Sequence, residues 1–289
     1  MKTLRAECIH PGGAVLGEGP VWHAGHVWWV DIERCEFHRF DPSTRTDHKW
    51  ILPSRVGFVV PSARGDFIAG TEDGIGRFDP GTGAFNPVMN PESDKPGNRF
   101  NDAKCDPQGR LWAGTMAMSE QAGQGALYSL DAEWRIRRWV NNVSVSNGLA
   151  WSGDGRTMYY VDSPTQKVDA FDFDPAQGQI SNRRTVVTLT EGYPDGMCAD
   201  ADGNLWIAIW GGGCVACHDP RNGKCLAKVN VPVRDVTSCC FGGDRMEELY
   251  ITTASRDVDA ASRQAQPQAG GLFVVHTGVV GRGVNVFAG

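Results

Sequence analysis

One pattern recurs along the chain and limits its possible folds more than any other feature. A turn containing Gly with Asp, Asn or Ser is followed by a short run of Trp, Tyr, Val and Ile, and a second short run often ends in an aromatic or His residue and Asp-Pro. Six stretches show this pattern. In five of them the closing residues are Asp41, Asp79, Asp131, Asp174 and Asp219, which follow one another at intervals of 38 to 52 residues. Such regular spacing of short strands indicates a repeat architecture.

The repeat length predicts an all-β fold, a six-bladed β-propeller. A four-stranded blade takes about 40–50 residues, and six blades fit the 289 residues of the chain. The 36 Gly and 16 Pro supply the tight turns that such blades need. No linker is visible, so we expect residues 1–289 to form a single domain, with an irregular β-sandwich as the alternative. The polar stretch 257–268 could hold a helical turn or two, but it contains a Pro and has no apolar stripe, so a loop is favoured there.

Charge and hydropathy exclude several classes of protein. The net charge of −6 argues against a nucleic-acid partner, which would require a basic surface. No apolar run approaches the ~18 residues of a membrane span, and residues 1–7 lack the apolar core of a signal peptide. The odd number of Cys, nine, favours free thiols over a disulfide framework. We therefore expect a cytoplasmic protein without a membrane partner, monomeric or weakly homo-oligomeric.

Four polar residues occupy similar places in four repeats, each expected just before the first strand of its repeat: Glu18, Asn101, Asn147 and Asp195. The innermost strands of a propeller converge on its axis, so carboxylates and amides at their ends would form an oxygen-rich cage for a hard cation. Asn147 and Asp195 are each followed by Gly, and ordinary turn chemistry is the alternative for any one of them. Their recurrence favours a shared site.

Several motifs in combination resemble the gluconolactonase/regucalcin family of sugar lactonases, over about residues 13–276. The motifs are Gly17-Glu18-Gly19-Pro20, Arg99-Phe100-Asn101-Asp102, Gly109-Arg110-Leu111-Trp112-Ala113-Gly114-Thr115-Met116, Ser146-Asn147-Gly148, Pro194-Asp195-Gly196 and Cys240-Phe241-Gly242-Gly243. The resemblance implies a six-bladed propeller with one divalent cation in its central channel. It also implies hydrolysis of a sugar (aldono) lactone to the aldonic acid, in carbohydrate catabolism.

The same resemblance implies roles for individual residues. Glu18, Asn147 and Asp195 match the metal ligands of the family. Arg99 and Asn101 match residues that contact the substrate, and Asn101 also matches the outer or fourth position of the metal.

A further substrate contact in some members is a Glu that follows the Gly-Thr-Met run. Glu120 is the corresponding residue here, although Ala117, Met118 and Ser119 separate it from that run. The substrate-binding residues expected from the resemblance are therefore Arg99, Asn101 and Glu120.

The chemistry of a lactone, a cyclic ester, suits these residue types. A cation polarises the carbonyl and stabilises the developing oxyanion, while a neighbouring carboxylate accepts a proton from the attacking water. We expect Asp195 to be this catalytic base, and Arg99 to bind sugar hydroxyls through its fork of donors.

The expected ligands are all oxygens, which favours Ca²⁺, Mg²⁺, Mn²⁺ or Fe(II) over a structural Zn²⁺ site, although the residues do not select one divalent cation and Zn²⁺ stays open. Two other functions remain as alternatives. One is a related propeller hydrolase acting on organophosphates or other esters, such as a phosphotriesterase-like enzyme. The other is a non-catalytic propeller that binds calcium or a protein.

Overall fold

The computed structural model arranges the chain as six antiparallel β-sheets around one axis. It describes residues 1–289 apart from the side chains of residues 260 and 261. The innermost strand of each sheet contacts the innermost strands of the two neighbouring sheets, which closes the ring. The prediction of an all-β, six-bladed propeller is confirmed.

Two short strands open the chain, β1 (Lys2–Arg5) and β2 (Glu7–His10). The blades follow in sequence, and within each blade the strands are numbered from the axis outward. The strands of blades 1 to 3 are β3 (Gly17–His23), β4 (His26–Asp31), β5 (Glu36–Asp41), β6 (Thr46–Ile51); β7 (Val56–Pro61), β8 (Phe67–Thr71), β9 (Gly74–Asp79), β10 (Ala84–Met89); and β11 (Asn98–Cys105), β12 (Leu111–Ala117), β13 (Gly125–Leu130), β14 (Ile136–Val143).

Blades 4 and 5 have the same order, and blade 6 takes three strands from this part of the chain. They are β15 (Ser146–Trp151), β16 (Thr157–Asp162), β17 (Lys167–Asp174), β18 (Gln179–Thr188); β19 (Tyr193–Ala199), β20 (Leu205–Trp210), β21 (Cys214–Asp219), β22 (Lys224–Asn230); and β23 (Val236–Gly242), β24 (Glu248–Thr253), β25 (Leu272–His276). A 3₁₀ turn (Ser163–Thr165) follows β16, and one short helix, α1 (Ala260–Ala265), lies between β24 and β25.

The N-terminal strands complete the last two blades. Strand β2 is the fourth strand of blade 6, where Glu7 pairs with Val274 and Cys8 with Phe273. Strand β1 adds to the outer edge of blade 5, parallel to β22. Blade 6 therefore combines the two ends of the sequence, which joins the first and last blades without leaving a three-stranded sheet.

The hydrophobic core lies between neighbouring blades. Between blades 3 and 4, for example, the buried ring of Trp112 stacks on Trp139 at 5.6 Å and meets Phe173 edge-on at 5.7 Å. A blade has two apolar faces, so stacking blades side by side covers both. The axis is thereby left to polar residues.

Two local expectations are wrong. The four polar residues do not precede the first strands but lie inside the innermost strands β3, β11, β15 and β19, because the Trp- and Val-rich run of each repeat is the second strand of its blade. The stretch for which a loop was favoured contains α1, whose first turn is capped by Asp259, the acceptor of a 2.7 Å hydrogen bond from the Ser262 amide. Such a cap stabilises the start of a helix by about 1 kcal/mol, a contribution that the search for an apolar stripe does not register.

Candidate active site

One pocket, at the end of the molecule where the innermost strands begin, collects every residue proposed for the site. Its volume is about 360 Å³. Its lining includes Glu18 from β3, Arg99 and Asn101 from β11, Glu120 from the turn after β12, Asn147 from β15 and Asp195 from β19. All of these side chains are buried except that of Glu120, which is 49% exposed at the mouth.

The innermost strands share an irregularity at this end. In each of the six, the pairing register with the second strand shifts, at Glu18/Val21, Val56/Phe58, Phe100/Ala103, Asn147/Leu149, Pro194/Met197 and Val236/Ser238. Such bulges release a residue from the ladder and redirect its side chain. The polar candidates lie at or beside four of these bulges, which explains how they come to face the pocket.

Two glycines at the bulges let neighbouring innermost strands approach one another closely. A Cβ atom on Gly57 would lie 2.2 Å from the Phe100 carbonyl oxygen, and one on Gly148 would lie 2.6 Å from the Asp195 carbonyl oxygen. No side chain fits at these distances. Gly148, which follows Asn147 and resembled a turn residue in the sequence, is therefore required for the close approach of two innermost strands.

A chain of hydrogen bonds fixes the two amides. The Asn101 Nδ2 donates to Asn147 Oδ1 at 2.9 Å and to the Ser146 carbonyl at 2.7 Å. The Asn147 Nδ2 donates to Ser163 Oγ at 2.8 Å, and that hydroxyl donates to the Pro194 carbonyl at 2.7 Å. Asn147 Oδ1 is thus held as an acceptor towards Asn101.

The guanidinium of Arg99 is anchored beside these amides. Its Nη1 donates to Asn101 Oδ1 at 2.5 Å and to the Phe100 carbonyl at 3.0 Å. Burial lowers the pKa of Arg99 to about 10, against the opposing effects of Glu33 and Glu18. The group remains charged at neutral pH and brings a buried positive charge to the wall of the pocket.

The two buried carboxyl groups of the pocket, those of Glu18 and Asp195, both have raised pKa values. Burial, followed by the charge of Asp102, raises the pKa of Glu18 to about 8, although the Gly19 amide donates to its Oε2 at 2.9 Å. Burial and the charges of Glu18 and Asp102 raise the pKa of Asp195 well above its usual value. Burial and mutual repulsion disfavour the ionised form of these carboxyl groups, and a cation bound between them would favour it.

A divalent cation fits this set of residues. Among the described residues, Asp195 Oδ1 and Asp102 Oδ2 are buried oxygens without a hydrogen-bond partner, which is costly unless a cation or water satisfies them. The described residues contain no group of three His, Cys, Asp or Glu arranged to bind a metal, so the donors here would be two carboxylates and an amide oxygen. Oxygen donors of this kind suit hard cations.

Comparison with known proteins decides the family. Residues 16–255 match the model of the SMP-30/Gluconolactonase/LRE-like region. The chain is 39% identical to regucalcin of Oryctolagus cuniculus over 293 residues, which is 98% of each chain. It is also 39% identical, over 264 residues and 90% of each chain, to YvrE of Bacillus subtilis, whose name carries a provisional sugar lactone lactonase assignment. This chain belongs to the SMP-30/gluconolactonase family.

The fold comparison agrees with the family. A crystal structure described as that of a calcium-binding protein, regucalcin, from Agrobacterium tumefaciens superimposes with a TM-score of 0.95 at 28% identity, over 99% of each chain. The resemblance inferred from the motifs is therefore confirmed.

Several residues of the pocket were missed by sequence reasoning. Ser163, Tyr193, Trp210 and Arg256 line it, and Asp102 acts on Glu18 from close by. Asp102 had a visible signal, because it follows Asn101 directly. Arg256 had none, since it lies in the polar loop after β24, far in sequence from the other candidates.

Two other properties bear on the expectations drawn from composition. Within the described part of the chain, no helix is long and apolar enough to cross a membrane. The nine cysteines, all of them in that part, are free thiols, and six of them are buried: Cys105, Cys198, Cys214, Cys217, Cys239 and Cys240.

Proposed function

We propose that this chain is a metal-dependent lactonase, which hydrolyses a sugar (aldono) lactone to the aldonic acid in carbohydrate catabolism. The observation that carries the proposal is the meeting of two buried carboxylates, Glu18 and Asp195, with the amide oxygen of Asn147 in one pocket. The name of the Bacillus subtilis relative and the description of the family support the same activity.

Glu18, Asn147 and Asp195 would hold one divalent cation. The unpartnered oxygen of Asp195 and the raised pKa values of both carboxyls support this assignment. Polarisation of a carbonyl and activation of water are the chemistry that such a cation supplies when bound. Ca²⁺ is the first ion to test, because the Agrobacterium neighbour is described as calcium-binding, followed by Mg²⁺, Mn²⁺, Fe(II) and Zn²⁺.

The residues of the pocket would then divide the work of hydrolysis. Asp195 would accept a proton from the attacking water at the carboxylate oxygen that does not hold the cation. Arg99 and Asn101 bind the oxygens of the lactone ring and its hydroxyls, and their mutual hydrogen bond keeps both in place before substrate arrives. Glu120, at the mouth, accepts hydrogen bonds from the hydroxyls of the distal part of the sugar.

A direct test is hydrolysis of pentono- and hexono-lactones by the chelator-treated protein, with each cation added back separately. We expect activity only with an added cation, and abolition of both activity and cation binding in Asp195→Ala. A matched control is Asp154→Ala, which removes an exposed carboxylate from the opposite end of the inner strands. Turnover of the chelated protein at the full rate would contradict the metal dependence.

The same experiment separates the two alternatives. Calcium binding without turnover of any lactone would indicate a non-catalytic propeller. Turnover of aryl esters or organophosphates with none of sugar lactones would indicate the related esterase activity. Either result would overturn the proposed substrate class.

A further inference from the structure

An ion pair crosses the mouth of the pocket between two distant blades. Glu120 lies in the turn after β12 in blade 3, with a left-handed backbone (φ +58°) that lifts it out of the strand. Arg256 follows β24 in blade 6. The Arg256 Nη2 donates to Glu120 Oε1, and both residues line the pocket.

Arg256 is held in place from its own side of the mouth. Its guanidinium lies 5.9 Å from the ring centre of Trp210, which also lines the pocket, and its Nε lies 3.7 Å from Asp257 Oδ1. Its side chain is 31% exposed and that of Glu120 is 49% exposed. A single pair with this exposure contributes little to folding stability, so stabilising the propeller does not account for its position.

The pair also determines what Arg99 can do. Glu120 and Arg256 both act electrostatically on Arg99, with opposite signs. Among the described residues, the hydrogen bonds of the Arg99 side chain are made by Nη1 alone, to Phe100 and Asn101. Arg99 is the other cationic residue in the described lining of the pocket, so a Glu120 released from Arg256 could pair with it and would then occupy the donors that the substrate needs.

We propose that Arg256 is a positioning residue for substrate binding, which holds the Glu120 carboxylate at the mouth and keeps it from pairing with Arg99. The inference rests on the proposed function, because it assumes that a polyhydroxylated substrate enters between these residues. It assigns Arg256 no contact with the reacting atoms. Its effect should therefore fall on KM and leave kcat and cation affinity nearly unchanged.

The test compares Arg256→Ala, Arg256→Lys, Glu120→Gln and the double variant Arg256→Ala/Glu120→Gln. We expect Arg256→Ala to raise KM for the lactone about tenfold with kcat within about twofold, and Arg256→Lys to recover part of the loss. The double variant should raise KM no more than Glu120→Gln alone, because both substitutions break the same ion pair. A merely structural role would not produce this non-additivity or the recovery by Lys.

A matched control is Arg183→Ala on blade 4, which also removes an arginine paired with a carboxylate, Asp169 at 2.7 Å, and packed on an aromatic ring, Phe171 at 5.7 Å. It should leave KM unchanged. An Arg256→Ala protein with wild-type KM, or effects of Arg256→Ala and Glu120→Gln that multiply in full, would overturn the proposal.

A binding experiment tests the role of Arg256 separately from the proposed lactonase activity. If the parent protein hydrolyses no lactone, the same variants are compared by equilibrium binding of a cyclic polyol without the lactone carbonyl. About tenfold weaker binding by Arg256→Ala, with recovery by Lys, supports the positioning role even then. Equal binding by all variants, or no polyol binding by the parent, overturns it.

Discussion

The two ends of the innermost strands open into cavities of comparable size that differ in which polar side chains they bring together. The cavity where the strands begin, about 360 Å³, contains the buried carboxylates and amides of the candidate site. The cavity where they end is larger, about 420 Å³, and its charged lining residues are Lys104, Asp154 and Arg282, among apolar residues such as Val60, Leu149 and Trp151. Among its described residues it contains no pair of buried carboxylates beside an amide. The volume of a cavity therefore does not identify the site, whereas the convergence of its donors does.

The difference arises within the same six strands. At the beginning each strand is bulged, and polar side chains leave the ladder. Towards the end pairing is regular, as in Lys104 with Trp112 and Cys198 with Trp206. The C-terminal segment then covers this end, with hydrogen bonds from the amides of Arg282 to Ala199 and of Phe287 to Pro61. We therefore propose that interrupted pairing at one end serves the chemistry of the site and that regular pairing at the other end serves stability.

The largest effect expected from this contrast is that of Asp195→Ala. It removes a proposed ligand and the proposed base together, so cation binding should be lost and kcat/KM should fall by about 10³-fold or more. Calorimetric titration with Ca²⁺ and a lactonase assay measure the two losses. Asp154→Ala, at the far cavity, should change neither, and an active, metal-replete Asp195→Ala protein would remove Asp195 from the site.

A smaller effect is expected from Arg99→Ala. Arg99 is a cation and cannot be a ligand, so cation affinity should stay nearly intact while kcat/KM falls about 10²-fold, equivalent to ~3 kcal/mol of transition-state binding. Arg99→Lys should recover only part of this loss, because an ammonium lacks the planar fork. Unchanged hydrolysis by Arg99→Ala would show that this side chain takes no part in the reaction.

The raised pKa of Glu18, about 8, predicts a pH dependence of cation binding. In the metal-free protein the carboxyl is mostly protonated at pH 7, whereas a ligand must be ionised, so binding releases a proton. Ionisation of Glu18 alone should therefore raise cation affinity about tenfold between pH 7 and pH 9, and the raised pKa of Asp195, the other carboxylate ligand proposed, should make the rise steeper. Titration calorimetry in buffers of different ionisation enthalpy counts the released protons; an affinity independent of pH would contradict the protonated state of Glu18.

The sequence was sufficient to predict the propeller because turns and aromatic strands repeat at blade length. It could not give the phase of the repeat, since bulges interrupt the innermost strands and several of their residues are polar where they meet the pocket, whereas the second strands carry the strong β pattern. The closure of blade 6 by β2 was also not predictable. That pairing joins Glu7 to Val274 across nearly the whole chain, and no local pattern records it. The assignment of residues 1–289 to a single domain stays a prediction.

For the site, recurrence at similar repeat positions predicted a shared location for Glu18, Asn101, Asn147 and Asp195, and the fold brings these side chains into one pocket. Their roles remain proposals. What the sequence lacked was the partners that fix them: the hydroxyl of Ser163, which orients Asn147, and the guanidinium of Arg256, which meets Glu120. Both lie in connections outside the repeat pattern, and their approach depends on the arrangement of complete blades.

The smallest effect on catalysis is expected at the end far from the site, from Phe287→Ala. Phe287 is fully buried, its ring meets Trp134 edge-on at 5.6 Å, and its amide donates to the Pro61 carbonyl at 2.9 Å. Removing a buried Phe ring leaves a cavity and should lower the free energy of unfolding by about 3–5 kcal/mol. Because Phe287 is not among the residues that line the candidate pocket, kcat/KM of the folded protein should stay within about twofold of the parent value.

Chemical unfolding with urea measures the first quantity, and a lactonase assay well below the unfolding temperature measures the second. Phe287→Leu keeps most of the buried volume and should lose much less stability. It serves as the matched control, because both variants retain the backbone hydrogen bond to Pro61 and differ only in the volume that is removed. If Phe287→Ala instead lowered kcat/KM as far as Arg99→Ala while still folded, the two ends of the strands would be coupled. The division between a chemical end and a stabilising end would then be wrong.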